Sequence, residues 1–371
     1  MNVLIYRDHL LPPSETFVRG QAETLQRFTP YYAGSRRVPG LDLPPERTLV
    51  VNRGGAAGLA AEAAVRLGRF PPSFVRRVRG LDPVLIHAHF GLDGALALPL
   101  VRRLRKPLVV TFHGFDATVA DEHARRSYHK HRLYLRRRRE LQREGQLFLA
   151  VSEFIRKRLL EQGYPEERVV VHYTGIDTRE FAPSGEEREP VVLFAGRLVE
   201  KKGCEYLIRA MAVVQRELPE VELTVIGDGP LRSSLEQLAA EKLGRRRFLG
   251  TQPPEAVRSW IGRSRVFSVP SVVAADGDAE GFGMVFAEAQ AMGTPVASFA
   301  SGGIPEAVSH GRTGLLARER DWKGLAEHIL TLLQDDKLWR QMSGAGVERV
   351  RSRFDLRRQT ALLEELYGRI I

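Results

Sequence analysis

Residues 191–203 read Val-Val-Leu-Phe-Ala-Gly-Arg-Leu-Val-Glu-Lys-Lys-Gly. Five apolar residues suit a strand buried on both faces, and Gly196 ends it in a tight turn carrying Arg197 and Lys202. Similar runs recur along the chain, each followed by a helix-length amphipathic stretch. In the first half the spacing predicts strands at 3–6, 48–51, 84–87, 108–112, 147–151 and 169–172. In the second half it predicts them at 191–195, 222–226, 247–249, 266–269, 295–298 and 314–316. Strands alternating with helices give parallel sheets covered on both faces. The reading is therefore α/β, with two Rossmann-like, doubly wound parallel-sheet domains facing a central cleft. Residues 183–190, polar and bounded by prolines, read as the linker. The expected domains are 1–185 and 186–371, with the last helix, about 355–371, packing back on the first. Ligands of such sheets sit at the carboxyl ends of strands, so residues just after a strand carry the chemistry.

Composition narrows the class. The chain has 371 residues, 43% hydrophobic and 27% charged, too apolar for disorder and long enough for two cores. No apolar run approaches the ~20 residues that cross a bilayer. The opening Met-Asn-Val-Leu-Ile-Tyr-Arg-Asp lacks a signal-peptide pattern, and the one cysteine, Cys204, forms no intrachain disulfide. A cytoplasmic protein is expected. The net charge is +11, and residues 125–143 supply most of it, with nine Lys and Arg against the single acid Glu140. Tyr128, Leu133, Tyr134, Leu135 and Leu141 interleave with those charges. A solvated helix face is one reading; a helix lying on an anionic membrane through Arg136, Arg137, Arg138 and Arg139 is the other. No zinc-finger spacing or RNA-binding aromatic motif accompanies the charge, so no nucleic-acid partner is expected.

Three strand-end features carry chemistry. Arg197 offers a planar fork and Lys202 a compact ammonium, a pairing suited to adjacent phosphates, and each charge-assisted hydrogen bond is worth about 1.5–3 kcal/mol. The second feature is Glu280-Gly-Phe-Gly-Met-Val-Phe-Ala-Glu288, where Gly281 and Gly283 precede a helix of buried composition. Its N-terminus attracts anions, and a carboxylate stands on either side of it to accept sugar hydroxyls. The competing reading is a capped core helix with two incidental acids. The third is Thr111-Phe-His-Gly-Phe-Asp116, where His113 ends a strand and is placed to donate to a sugar hydroxyl or phosphate, unless it is structural.

Together these motifs resemble the family 4 retaining glycosyltransferases of the GT-B fold, whose hallmark is two glutamates with seven residues between them, met here by Glu280 and Glu288. Gly196-Arg197 with Lys202-Gly203, Gly227-Asp-Gly-Pro230, Gly302-Gly303 with Glu306, Gly311 with Gly314, His113-Gly and Thr174-Gly-Ile-Asp177 also match, in order, over nearly the whole chain. Ser14-Glu-Thr-Phe17 and His87-Ala-His-Phe-Gly91 look most similar to bacterial exopolysaccharide members of the colanic-acid type.

The resemblance implies a hexosyltransferase that takes a UDP- or GDP-sugar donor to a sugar or lipid-linked acceptor in polysaccharide or glycolipid biosynthesis, with retention and without metal or other cofactor. Arg197 and Lys202 would neutralise the leaving diphosphate. Glu280 would hold the donor sugar, Glu288 the ribose diol, and His113 the sugar or a phosphate. Gly196, Gly227, Leu249, Phe282, Gly283 and Met284 would line the rest of the donor site. The family's Gly-Gly loop after the first strand is replaced by Leu10-Leu-Pro-Pro-Ser-Glu-Thr-Phe17, which makes Ser14 and Glu15, with Asp116, the acceptor candidates.

The alternatives are a nucleotide-sugar epimerase or hydrolase on this fold, and a basic membrane- or nucleic-acid-binding protein. Asp276-Gly-Asp278 mimics a metal motif but reads as loop chemistry, and His87 with His89 lacks a third ligand. Neither a Walker A motif nor a complete G-x-G-x-x-G occurs, against an ATPase or a nicotinamide dehydrogenase.

Overall fold

In the computed structural model, described at residues 1–183, 185 and 187–371, the chain forms two compact units. The first comprises Met1–Gly175 with Leu356–Ile371, and the second Ile176–Asp355. The stretch expected as a linker precedes and enters the second unit's first strand, and its Ser184 and Glu186 lie outside the described residues.

The first unit is built on β1 (Asn2–Tyr6), β2 (Thr29–Gly34), β3 (Thr48–Val50), β4 (Leu85–His89), β5 (Leu108–Phe112), β6 (Leu147–Ala150) and β7 (Val169–Val171). They form one parallel sheet in the order β3-β2-β1-β4-β5-β6-β7. Every residue of β4 and β5 is buried; β5 accordingly runs apolar on both faces, whereas β4 carries His87 and His89 among its apolar residues. Helix Leu356–Gly368 completes this unit. Its Glu364 accepts from the backbone N–H groups of Gln26 and Arg27 at 2.8 and 2.7 Å. Its Tyr367 hydroxyl meets His87 Nδ1 at 2.5 Å, and its ring stands edge-on to Phe28 in the core.

The second unit carries β8 (Glu189–Ala195), β9 (Glu222–Ile226), β10 (Arg246–Phe248), β11 (Ser264–Phe267), β12 (Val296–Phe299) and β13 (Gly314–Ala317). Their order is β10-β9-β8-β11-β12-β13, again parallel. In each sheet the unit's first strand lies inside, the next two extend one way and the rest the other. This is the Rossmann order, with its topological switch beside the first strand. The α/β expectation holds for both halves. Among the described residues, no helix is long and apolar enough to cross a membrane.

Candidate donor site and the histidine loop

In the second unit, the loops after β8, β9 and β10 are tied into one rim. Gly196 donates its N–H to Ile226 O at 3.0 Å, Leu198 to Asp228 O at 2.9 Å, and Gly227 to Gly250 O at 2.8 Å. Gly227 has φ +134°, and a Cβ there would stand 1.9 Å from Gly196 O, so only glycine lets these loops approach. The half-buried Leu249 lies on the same rim, its N–H donated to Val225 O at 2.9 Å. On this rim Arg197 is exposed, and among the described residues its guanidinium has no hydrogen bond or ion pair.

Lys202, on the same loop, is paired. Its Nζ lies 2.5 Å from Glu280 Oε2, which also accepts from Ser271 Oγ at 3.3 Å. Burial alone would raise the Glu280 carboxyl, but Lys202, Lys201 and the Ser271 hydrogen bond together bring its pKa down to about 2. The neighbouring Lys201 pairs with Asp278 at 2.9 Å, and the Asp276 carboxylate accepts from the Asp278 N–H at 2.9 Å. These two aspartates are thus engaged in shaping the loop. Ser271 and Lys201 were not singled out in the sequence, since Ser271 stands in no motif, Lys201 is only the neighbour of Lys202 in its loop, and each meets its partner through the fold.

Helix Met284–Ala291 begins directly after Gly283. The buried Phe282 ring stands edge-on to Phe354 with centroids 5.0 Å apart, fixing the approach to the helix, while Met284 is half-buried. The first turn of any helix leaves N–H groups without intrahelical partners. Gly303 backs this turn so closely that a Cβ would lie 2.0 Å from Gly281 O. Glu288, half-buried on the same helix, has no hydrogen bond or ion pair among the described residues. Burial, with Glu180 nearby, pushes its pKa up to about 7 against the pull of Arg258 and Lys202. Arg258 is itself ion-paired to Glu180. Two carboxyls flanking one helix start therefore differ sharply in proton affinity.

Family models match the chain as "Glycosyl transferases group 1" over residues 177–349 and "Glycosyltransferase Family 4" over residues 28–180. The amylovoran biosynthesis glycosyltransferase AmsK of Erwinia amylovora is 32% identical over 67% of this chain. The chain belongs to family 4 of the GT-B glycosyltransferases. It spans 61% of AmsK's length. The GDP-mannose-dependent alpha-(1-6)-phosphatidylinositol monomannoside mannosyltransferase of Mycolicibacterium smegmatis is 30% identical over 75% of each chain. The structure of Anabaena Alr3699/HepE in complex with UDP and glucose has the same fold, with a TM-score of 0.80, 22% identity and 99% of both chains covered.

The first unit of this family member holds the other residues singled out in the sequence. His113 follows β5 and is half-buried; its Nε2 lies 3.1 Å from His89 Nδ1, and its ring packs between Phe17 and Phe90 at 4.8 and 4.6 Å. Burial, with the Arg7 charge and His87, holds its pKa well below the ordinary histidine value, so the imidazole is neutral. Phe90 has φ +72°, strained for a side chain with a Cβ, at the junction of β4 with the next helix. Asp116 is buried and accepts from the N–H groups of Gly91, His113 and Gly114 at 2.8, 3.1 and 2.9 Å, so it braces the loop. Burial still pushes its pKa up to about 6 against these hydrogen bonds. Glu15 is buried in an ion pair with Arg7, which also reaches Asp93, whereas Ser14 is exposed. Of the acceptor candidates, Ser14 alone presents its side chain freely to solvent.

His87 bonds Tyr367 and, at 2.7 Å, Thr111 Oγ1. It thus serves packing rather than chelation. Cys204 is buried and its thiol pushed up by that burial. The arginine run lies on helix His129–Glu144 and splits by face. Arg136 and Arg139 are exposed, whereas Arg137 bonds Ala95 O at 3.3 Å and Arg138 is ion-paired to Asp121.

Proposed function

We propose that this protein transfers a hexosyl group from a UDP- or GDP-sugar to an acceptor hydroxyl, with retention, in polysaccharide or glycolipid biosynthesis. The observation that carries the reading is the rim of the second unit, where an unpaired Arg197 and the Lys202–Glu280 pair adjoin a glycine-bounded helix start flanked by two carboxyls. Supporting it are a relative named for amylovoran synthesis, another named for GDP-mannose, and a like-folded structure bound to UDP and glucose.

In this reading Arg197 and Lys202 bind the donor diphosphate, and Glu280, already ionised, accepts hydroxyls of the sugar. Glu288 accepts the ribose diol. The bond from the anomeric carbon to the diphosphate oxygen breaks, and its electron pair leaves on the diphosphate, where the two cations stabilise it. The acceptor oxygen bonds the anomeric carbon on the same face and passes its proton to a diphosphate oxygen. No nucleophilic carboxylate is required. His113, as a neutral imidazole, is the first unit's candidate for a sugar or phosphate contact. The two cations offset the diphosphate charge that a metal would otherwise neutralise, so turnover should persist in excess EDTA. The exposed arginines of helix His129–Glu144 suit an anionic membrane surface that presents a lipid-linked acceptor.

Steady-state transfer from UDP-glucose and GDP-mannose, with Arg197→Ala and Lys202→Ala, tests the assignment. Each variant should lose at least about 100-fold in turnover, as expected when a charge-assisted contact made in the transition state is removed. Losses within about threefold for both would show that the diphosphate binds elsewhere.

A further inference from the structure

Helices Asp121–Arg126 and His129–Glu144 of the first unit enclose a pocket of about 400 Å³ lined by Asp121, Arg125, Arg132, Leu135, Arg136 and Arg138. We propose that this pocket binds a phosphate group. Its volume falls in the range of small-ligand sites. Arg132 and Arg136 stand four residues apart on one helix and so share a face, and Arg125 approaches from the other helix.

The pairing of the surrounding cations singles the pocket out. Lys130 is tied to Asp8, Arg126 to Glu122, Arg143 to Glu144 and Arg137 to a backbone carbonyl. Arg138 is held by Asp121 through two contacts, at 2.8 and 2.5 Å, which fix its guanidinium at the pocket wall. Arg125, Arg132 and Arg136 have no hydrogen bond or ion pair among the described residues, and outside the pocket only Arg139 of residues 125–143 shares that state. Three free guanidinium groups and a fourth with its acid converge on one cavity. The three free groups are exposed at the pocket, open to an entering anion, and a tetrahedral phosphate presents enough oxygens to several planar forks at once, as a single carboxylate does not. Leu135 offers apolar surface to the carbon side of an ester.

The pocket also lies near the histidine loop. A much smaller cavity beneath it shares Asp121, Leu135 and Arg138 and extends to Asp116, the carboxyl that braces the His113 backbone. An occupant would therefore sit one packing layer from that loop. The phosphate has two possible sources, a membrane lipid headgroup or a soluble phosphate-bearing acceptor. The site deepens the membrane part of the proposed function but does not depend on the donor assignment.

The test uses the full chain carrying Arg197→Ala and Lys202→Ala, which silences the donor rim. Into this background go either the pocket triple Arg125→Gln, Arg132→Gln, Arg136→Gln or a charge-matched triple Arg126→Gln, Arg139→Gln, Arg143→Gln. Inorganic pyrophosphate is titrated calorimetrically, and cosedimentation is measured with phosphatidylglycerol and phosphatidylcholine vesicles. The pocket triple should weaken pyrophosphate binding at least about tenfold and the matched triple less than about threefold. The same ordering with phosphatidylglycerol vesicles identifies the headgroup as the source. Vesicle binding indifferent to the pocket triple, with pyrophosphate binding lost, identifies a soluble ligand. Equal losses from both triples would reduce the site to diffuse charge and overturn it, as would no pyrophosphate binding in the parent. Arg132→Lys with Arg136→Lys, which keeps the charge and removes the forks, guards against a misfolded triple and should itself weaken pyrophosphate several-fold.

Discussion

Glu280 and Glu288 are the same residue type on either side of one helix start, yet their carboxyls titrate near 2 and near 7. The sequence shows both acids and their spacing. It does not show the difference, which comes from Lys202, 78 positions before Glu280, and from Glu180 and Arg258 near Glu288. For Glu288 folding raises the pKa above its ordinary 4.5, so the native state favours the neutral form. Its stabilising contribution is complete below about 4.5 and is lost as the pH climbs through about 7. Glu288→Gln should accordingly leave the melting temperature unchanged at pH 4 and raise it at pH 8 in a thermal scan. If the carboxylate accepts the ribose diol, donor affinity follows the opposite course. UDP-glucose should bind about tenfold more weakly at pH 6 than at pH 8, with a proton released on binding at pH 6. In Glu288→Gln calorimetry should find neither the slope nor the proton.

At the scale of elements, most strands were legible because a strand buried on both faces is a continuous apolar run. The expected strands at 108–112 and 222–226 match β5 and β9 residue for residue. The main-sheet strand that was missed, β2, reads Thr-Pro-Tyr-Tyr-Ala-Gly, and the short pair His9–Leu10 with Arg36–Arg37 was missed as well. The proline of β2 supplies no ladder N–H and its two tyrosines do not read as an aliphatic run, yet the strand pairs in register with β1 from Thr29 to Ala33. Neighbours supply what its own sequence does not advertise. Loop packing was half legible, since glycines announce close approaches without naming what approaches. Gly303 illustrates the point, because its constraint is the carbonyl of Gly281, 22 residues earlier. Gly303→Ala places a Cβ against rigid backbone and should cost about 1–3 kcal/mol in urea unfolding, together with weaker nucleotide diphosphate binding. Gly344→Ala, whose Cβ would meet nothing within 4 Å, serves as the control without a clash and should stabilise by up to about 1 kcal/mol, since Gly344 lies inside helix Asp336–Arg353.

For the molecule as a whole, the first unit is assembled from two separated stretches of chain, and helix Leu356–Gly368 is part of its core. Tyr367→Phe removes the partner of His87 Nδ1 in a fully buried site and should cost about 1–3 kcal/mol. Deleting residues 356–371 should lower the first unit's melting transition while leaving nucleotide diphosphate binding to the second unit measurable by calorimetry. The discontinuity also orders events during synthesis. As the ribosome moves from the amino end, residues 176–355 emerge complete, whereas the earlier-made half still lacks its closing helix. The half translated first is thus the last to finish folding, because its closing helix is made after every residue of the other unit.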